Sequence, residues 1–371
     1  MLFAVGERKA ELEEKQRVLQ NFLAANGLDA YLISRHENVA WATAGLVDMH
    51  VGLLREVGVG SLLILRDGQP CYLTTENEAP RLAEEEFASL DYRPVIQPWH
   101  ANDVQAVLRK IVPSGRIAAD DASAGLPVLS IQPLRMPLTE GEAARYRWLG
   151  ARVAHATTDV LLALRPGVTE AKMQAAIAER LLAENIQPSV FLTAVDDRIR
   201  RYRHAVPRDG VLQRFGMLNF CARRWGLCIS ITRFVHFGAM PAELEEKFAA
   251  VAQVNARLLH ATREDATADE LFSVAKRAYA EVGYAGEEQM HHQGGATGYW
   301  EREWVARPGG EERVLARQAM AWNPTIQGAK IEDTVVLADG EIETLTLTPR
   351  LPVVETSFQG AVYRSAGALM A

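Results

Sequence analysis

Four short stretches carry the residue types from which a site could be built. RRYRHAVPRDG sets His204 among the arginines Arg200, Arg201 and Arg203. MLNFCARRWGLCISITR places Asn219 and Ser230 at the centres of two apolar runs. MHHQGGATGYWERE offers the adjacent pair His291 and His292, then glycines, then Glu301 and Glu303. WNPTIQGAKIEDTVVL puts Glu332 beyond a turn, with Asn323 where a second acid could face it. An imidazole titrates near neutrality and can take and return a proton; a carboxylate can orient water or hold a cation. Each stretch is weak alone. A lone loop histidine is usually a surface residue, and Glu332 beside Asp333 reads as a solvated strand end. Neighbouring histidines on a strand would point to opposite faces. GGATG is too short and wrongly flanked for a phosphate loop. Glu301 and Glu303 read as surface acids.

The elements that must position these residues follow from periodicity. ERKAELEEKQRVLQNFLAANG has an apolar stripe at Leu12, Val18, Leu19, Phe22 and Leu23, and Gly27 as a stop, the pattern of an amphipathic helix. LDAYLIS is of strand length, and GSLLILRDGQPCYLTT reads as a hairpin about Asp-Gly. Helices are expected near APRLAEEEFASL and ANDVQAVLRKIV, which makes residues 1–132 a small α/β domain. Pro127, Pro133 and Pro137 mark a linker between Leu126 and Thr139. Thr139 and Glu142 have capping-box spacing and open a long helix. RPGVTEAKM opens a second helix with Thr169 as cap, and two further helices begin near PAELEEKF and TADELFSV. Strands are expected in SVFLTAV, FGMLNFCA, WGLCISITRFV, QAMAWNPTI and KIEDTVVLAD. Two helix pairs with strands between them hint at an internal duplication within residues 138–371.

Bulk properties bound the function. The 371 residues suffice for two domains. A net charge of −7, from 40 basic and 47 acidic side chains, disfavours nucleic acid and anionic membranes as partners. No apolar run is long enough to span a bilayer, and the N-terminus turns charged too early for a signal core. Cys71, Cys221 and Cys228 are an odd, sparse set, which fits free thiols in a reducing cytoplasm. Cys221 and Cys228 flank one turn, and pairing between them is not expected.

In order and spacing these stretches resemble the pita-bread family: methionine aminopeptidase, proline aminopeptidase, prolidase and creatinase. LDAYLISRHENVAWATAG looks like the opening of the N-terminal domain of the creatinase and proline-peptidase branch. RPGVTEAKM, SITR, GGATG and KIEDTVVL sit where that family has its signatures. The resemblance implies an α+β chain: a smaller creatinase-like N-terminal α/β domain, then a pita-bread domain whose curved antiparallel sheet is covered by helices. It also implies a homodimer.

Peptidases of the family bind two metal ions through two aspartates, a histidine and two glutamates. Carried over one at a time, these fall on Asn219, Ser230, His292 (with His291 the close alternative), Asn323 and Glu332. Three of the five are missing, and all three are lost carboxylates. Two adjacent divalent ions need several anionic oxygens to offset their repulsion and lost hydration. The expectation is therefore no metal and no other cofactor. Creatinase, which in this family works without metal, suggests the alternative chemistry. There His204 would shuttle a proton, Glu332 would orient water or a cationic group, and His292 would donate a hydrogen bond. Asn219, Ser230, His291, Asn323 and Arg203 would bind substrate. The leading expectation is a metal-independent hydrolase cleaving a C–N bond in a small amide, amidine or amino-acid derivative. The alternatives are a non-catalytic homologue that binds a small ligand, and an Xaa-Pro-type dipeptidase or aminopeptidase with an unusual metal site. The partner expected is a small-molecule or dipeptide-like substrate.

Overall fold

The computed structural model describes residues 5–371. The first four residues, part of the stretch read as lacking a signal core, lie outside the described residues. The chain divides into two compact units after Arg135.

In the N-terminal unit, α1 (Lys9–Ala25) buries Leu12, Leu19 and Leu23. It is followed by β1 (Ala30–Arg35), α2 (His36–Ala42), β2 (Val57–Leu65), β3 (Cys71–Thr75), β4 (Arg93–Gln97), α3 (Val104–Ile111) and β5 (Ile117–Ala119). The sheet runs β4-β3-β2-β1-β5. The Asp-Gly hairpin forms as expected, with β2 and β3 antiparallel and Leu63 opposite Cys71. Alternate residues Ala30, Leu32, Leu63, Cys71 and Leu73 make one core face. Asp103 caps α3 by accepting from the Ala106 N–H at 2.8 Å. The helix expected near Ala79 shrinks to one turn (Ala79–Arg81) and a wider turn (Leu82–Glu86). Only Ala79, Leu82 and Phe87 are buried there, too little apolar surface to hold a longer helix. The proline-rich segment is not free linker throughout. Arg135 is buried and donates to Asn38 at 2.6 Å, and Val128 bridges to Ala119.

In the C-terminal unit, α4 (Glu140–Ala163) begins at the complete Thr139–Glu142 capping box, and α5 (Glu170–Leu182) at Thr169. Then come β6 (Gln187–Phe191), a short α6 (Asp197–Arg201), and the long pair β7 (Phe215–Arg224) and β8 (Leu227–His236). The second half repeats the plan. Helices α7 (Ala242–Ala261) and α8 (Ala268–Glu281) precede β9 (Gly294–Thr297), β10 (Gln318–Trp322), β11 (Asp333–Ala338) and β12 (Glu341–Thr344).

Strands β6, β7 and β8 are antiparallel neighbours in one sheet, which Leu369–Met370 extends parallel to β8, and β9 to β12 form another in chain order. The two are knitted by a Thr232–Glu332 bridge. The Thr334 hydroxyl adds to the seam, accepting from the Ser230 N–H at 2.9 Å and donating to the Ser230 carbonyl at 3.0 Å. Cys221 lies opposite Ser230 and Cys228 opposite Arg223, so the two thiols do not oppose each other. The core between helices and sheets gathers Phe215, Phe234, Leu258, Leu271, Met320 and Trp322.

Candidate functional site

The seam between the two sheets gathers most of the residues singled out in the sequence. Asn219 on β7 pairs directly with Thr232 on β8. Just ahead of β11, Glu332 bridges to Thr232, whose N–H donates to the Glu332 carbonyl at 3.1 Å. Asn323 follows β10 immediately, beside the Trp322–Asp333 pair. A short hairpin joins them, Thr325–Ile326 against Ala329–Lys330, turning at Gly328, whose φ of +93° favours glycine. Tyr279 of α8 sets this hairpin against the histidine segment. Its hydroxyl accepts from the Thr325 N–H at 2.7 Å and donates to Gln293 at 2.6 Å.

Glu332 is not a solvated strand end. It is 3% exposed, and its carboxylate is saturated. Oε2 accepts from the Thr232 hydroxyl at 2.6 Å and from the Asn219 amide, and lies 3.0 Å from Lys330 Nζ. Oε1 meets Arg302 Nη2 at 3.1 Å. Burial alone would raise its pKa, but Lys330 and Arg302 override that and hold it at about 2. Arg302 also donates to the Ser230 hydroxyl at 2.9 Å. Asp333, one residue on, faces the other way and is bound by the buried Arg233 at 2.6 Å. Lys330 and Arg302 were missed in the sequence. The signal for Lys330 was there: two residues before Glu332 in an extended segment, it shares the acid's face.

The histidines form a second cluster. His291 and His292 precede β9 rather than lie within it, and their rings stack with centroids 4.4 Å apart instead of facing opposite ways. The chain turns immediately after them, at Gly294 with φ +98°. On β9 itself a side chain at Gly295 would strike the Trp304 carbonyl at 2.2 Å, so the histidines come from the approach to the strand. His204 joins them, its Nε2 2.8 Å from His291 Nε2. The hydrogen bonds define the tautomers. His291 Nδ1 lies 2.5 Å from the His292 carbonyl, which can only accept, so Nδ1 carries the proton and Nε2 the lone pair. His204 therefore donates through Nε2, leaving its Nδ1 as a free base. His292 Nδ1 accepts from the Gly294 N–H at 3.3 Å, leaving Nε2–H as a donor.

All three imidazoles are held neutral. Burial and then Lys330 lower His204 and His291, the latter to about 3; burial and then Arg302 lower His292 to about 4. An unfolded chain takes protons on these groups as pH falls through 6.5, whereas the folded chain resists. The contribution of His292 and His291 to stability is therefore whole above pH 6.5 and lost as pH falls toward 4 and 3, and that of His204 is likewise lost on the acid side of 6.5. Glu332 behaves as a depressed carboxylate: its share is present above 4.5 and lost toward 2. Urea unfolding at pH 7, 6 and 5 should show stability falling with pH, and His291→Gln with His292→Gln should flatten that slope. An unchanged slope in the double variant would contradict the assignment.

Of the remaining residues, Ser230 and Asn219 are absorbed by the Glu332 network, and Arg203 pairs with Glu287. Asn323 is 2% exposed with a buried Oδ1 that has no hydrogen-bond partner in the structure. Glu303 is buried, contrary to expectation, and its Oε1 accepts from the Trp300 N–H at 3.2 Å. Glu301 accepts from the Ser189 hydroxyl at 2.7 Å.

Two divalent ions do not fit this donor set. One carboxylate is present, and two cations already neutralise it. Asn219 turns an N–H, not an oxygen, toward Glu332, and Ser230 Oγ is taken by Arg302. The imidazoles offer a nitrogen set within 4.8 Å of one another, yet Lys330 depresses the proton affinity of all three. The same field opposes a metal cation.

Comparison with known proteins agrees with the architecture. Residues 16–136 match the creatinase/prolidase N-terminal domain, and residues 144–339 match metallopeptidase family M24. An Xaa-Pro dipeptidase of Pyrococcus horikoshii is 23% identical over 359 residues, covering 91% of this chain and 98% of the relative. One of Lactobacillus delbrueckii subsp. lactis is 24% identical over 384 residues, covering 91% and 99%. The prolidase of Thermococcus sibiricus superposes with a TM-score of 0.76 at 18% identity, covering 91% and 98%. Among the described residues no helix is long and apolar enough to cross a membrane. With its N-terminal creatinase/prolidase domain and its two-sheet pita-bread unit, the chain belongs to metallopeptidase family M24.

Proposed function

We propose that this chain hydrolyses the C–N bond of a small dipeptide-type substrate of the Xaa-Pro class, without a dinuclear metal centre. The curated relatives are Xaa-Pro dipeptidases, which supports a dipeptide over the amidine of a creatinase-type reaction. The surplus of cations at the seam argues the same way, because a guanidinium-type substrate would be repelled. The observation that carries the metal-independent part is the double ion pair of Glu332 with Lys330 and Arg302.

The chemistry follows from the tautomers. His204 Nδ1 takes a proton from water while the water oxygen attacks the amide carbon. The charge that develops on the carbonyl oxygen is met by His292 Nε2–H, in the field of Arg302. The rings of His204 and His292 are 6.3 Å apart between centroids, a span suited to a water and a carbonyl between them. His204 then returns its proton to the leaving nitrogen as the C–N bond breaks, giving an acid and an amine. His291 keeps His204 in the right tautomer. Asn323 Oδ1 accepts an N–H of the substrate. Glu332 anchors the two cations rather than orienting water.

Purified protein should cleave Ala-Pro in the presence of EDTA at an undiminished rate, with substoichiometric manganese, cobalt and zinc by elemental analysis. Activity abolished by EDTA and restored by a metal would replace this reading with a metal-dependent dipeptidase. No turnover across a panel of Xaa-Pro dipeptides, with retained binding, would make the chain a binding protein.

A further inference from the structure

A second gathering of imidazoles with a carboxylate lies in the N-terminal unit. His36 stands at the junction of β1 and α2, while Asp48 and His50 belong to the segment that leads into β2. One ligand atom from each of the three lies within 4.8 Å of the others. The chain around them sets this up. Met49 is 1% exposed and pins the segment to β2. Its carbonyl accepts from the Val59 N–H at 3.0 Å, and a side chain at Gly58 would strike its Cβ at 2.7 Å. His36 is drawn to the same place, because its N–H donates to the Glu56 carbonyl at 3.1 Å, one residue before β2. His50 donates to Asp48 Oδ1 from its backbone N–H at 2.8 Å and from Nδ1 at 2.7 Å. Its ring stacks on that of His36, with the planes 15° apart. His36 is 6% exposed, and the side chains of His50 and Asp48 are 10% and 71% exposed. Two sheltered rings thus meet a carboxylate on the solvent side.

The charge around this cluster is opposite to that at the seam. Glu86 adds a second carboxylate, its Oε2 accepting from the Asp48 N–H at 2.7 Å. Burial chiefly raises the Glu86 pKa, and the charge of Asp48 adds to the rise. The arginines here are held by other acids: Arg81 by Glu86 at 3.2 Å, and Arg35 by Glu37 at 2.6 Å and Glu56 at 2.9 Å. Within this group of linked side chains the acids Glu37, Asp48, Glu56 and Glu86 outnumber the two arginines. That surplus favours a cation, where Lys330 and Arg302 oppose one at the seam. Two imidazoles and one carboxylate are the donor set of a borderline ion such as zinc, with a water in the fourth position. We propose that His36, Asp48 and His50 bind one divalent transition-metal ion, which ties the segment between α2 and β2 to the start of α2. The proton between His50 Nδ1 and Asp48 Oδ1 holds the ion's place. On binding, His50 carries its proton on Nε2 and gives the Nδ1 lone pair to the metal. Rotation about χ2, which is broad for histidine, turns the His36 lone pair onto the same ion. Asp48 leaves the ion open to solvent, so EDTA removes it. Turnover in EDTA and the low metal content of protein so treated therefore test the seam alone.

The test is titration of EDTA-stripped, dialysed full-length protein with cobalt(II) chloride, followed by zinc chloride. The visible d–d band of low-coordinate cobalt should saturate at one equivalent and be bleached by zinc. Zinc should also raise the melting temperature, since an ion that binds only the folded chain stabilises it. His50→Gln and, separately, Asp48→Asn should each weaken cobalt binding by about tenfold or more. Asp48 is exposed and asparagine matches its shape, so loss of the band there with an unchanged circular dichroism spectrum is not a folding defect. The double variant His291→Gln, His292→Gln should keep the band. No saturable band, or weak binding of several equivalents that neither N-terminal variant changes, overturns the inference. A band kept in both N-terminal variants and lost in the double variant also overturns it, and moves the ion to the seam. Two equivalents, one lost with His50→Gln and one with the double variant, support this site and remove the metal-free reading of the seam instead.

Discussion

Replacing Glu332 with glutamine should destabilise the C-terminal unit by about 3–5 kcal/mol, the usual cost of stripping a counter-charge from a buried ion pair. The glutamine nearly preserves shape, so packing is not the cause. Lys330 is 7% exposed and Arg302 is part-buried, and each loses its acidic partner at once. Desolvated cations without a counter-charge are costly whichever way they turn. Denaturant unfolding of Glu332→Gln against the unmodified protein measures the loss. Adding Lys330→Met should recover a large part of it, because one of the two uncompensated charges is then gone. A Glu332→Gln protein within about 0.5 kcal/mol of the original would mean the carboxylate is not the hub of a buried network.

His204→Gln should lower kcat by about 10²- to 10⁴-fold, the range that a positioned general base contributes. Stability should change little, since His204 is an exposed loop residue whose ring is only partly shielded, against His291. In the unmodified protein, kcat/KM should fall on the acid side of neutrality. Burial and Lys330 lower the His204 pKa below 6.5, so the base is available at neutral pH and lost only below that point. Turnover of His204→Gln at the original rate, with the same acid limb, would assign the proton transfer to another group. Loss of activity accompanied by unfolding would show His204 to be a structural residue.

Much of the scaffold was legible from periodicity and local chemistry. The Thr139–Glu142 box and the Thr169 cap fixed where two helices begin, because backbone N–H groups at a helix start need those acceptors. The Asp-Gly hairpin and the long strands around Cys221 and Cys228 also followed from alternation and turn residues. The helix near Ala79 came out shorter than expected, since periodicity cannot say how much apolar surface a segment will find to pack against.

The candidate site divides differently. Its parts list was in the sequence: His204, the His291–His292 pair, Asn219, Ser230, Asn323 and Glu332. So was the shortage of acids, which alone argues against a dinuclear cation cluster. The identity of the groups that replace the missing charge was decided only in three dimensions. Lys330 reaches Glu332 because a hairpin puts them on one face, and Arg302 arrives from a loop thirty residues away in sequence. The same folding turned Glu332 from an acid free to act into one held by two cations, and brought His204 within 2.8 Å of His291. Local sequence determines which groups a chain can offer. Which buried charges meet depends on long-range strand pairing, because that pairing brings groups distant in sequence together where burial removes the water that would otherwise satisfy each partner separately.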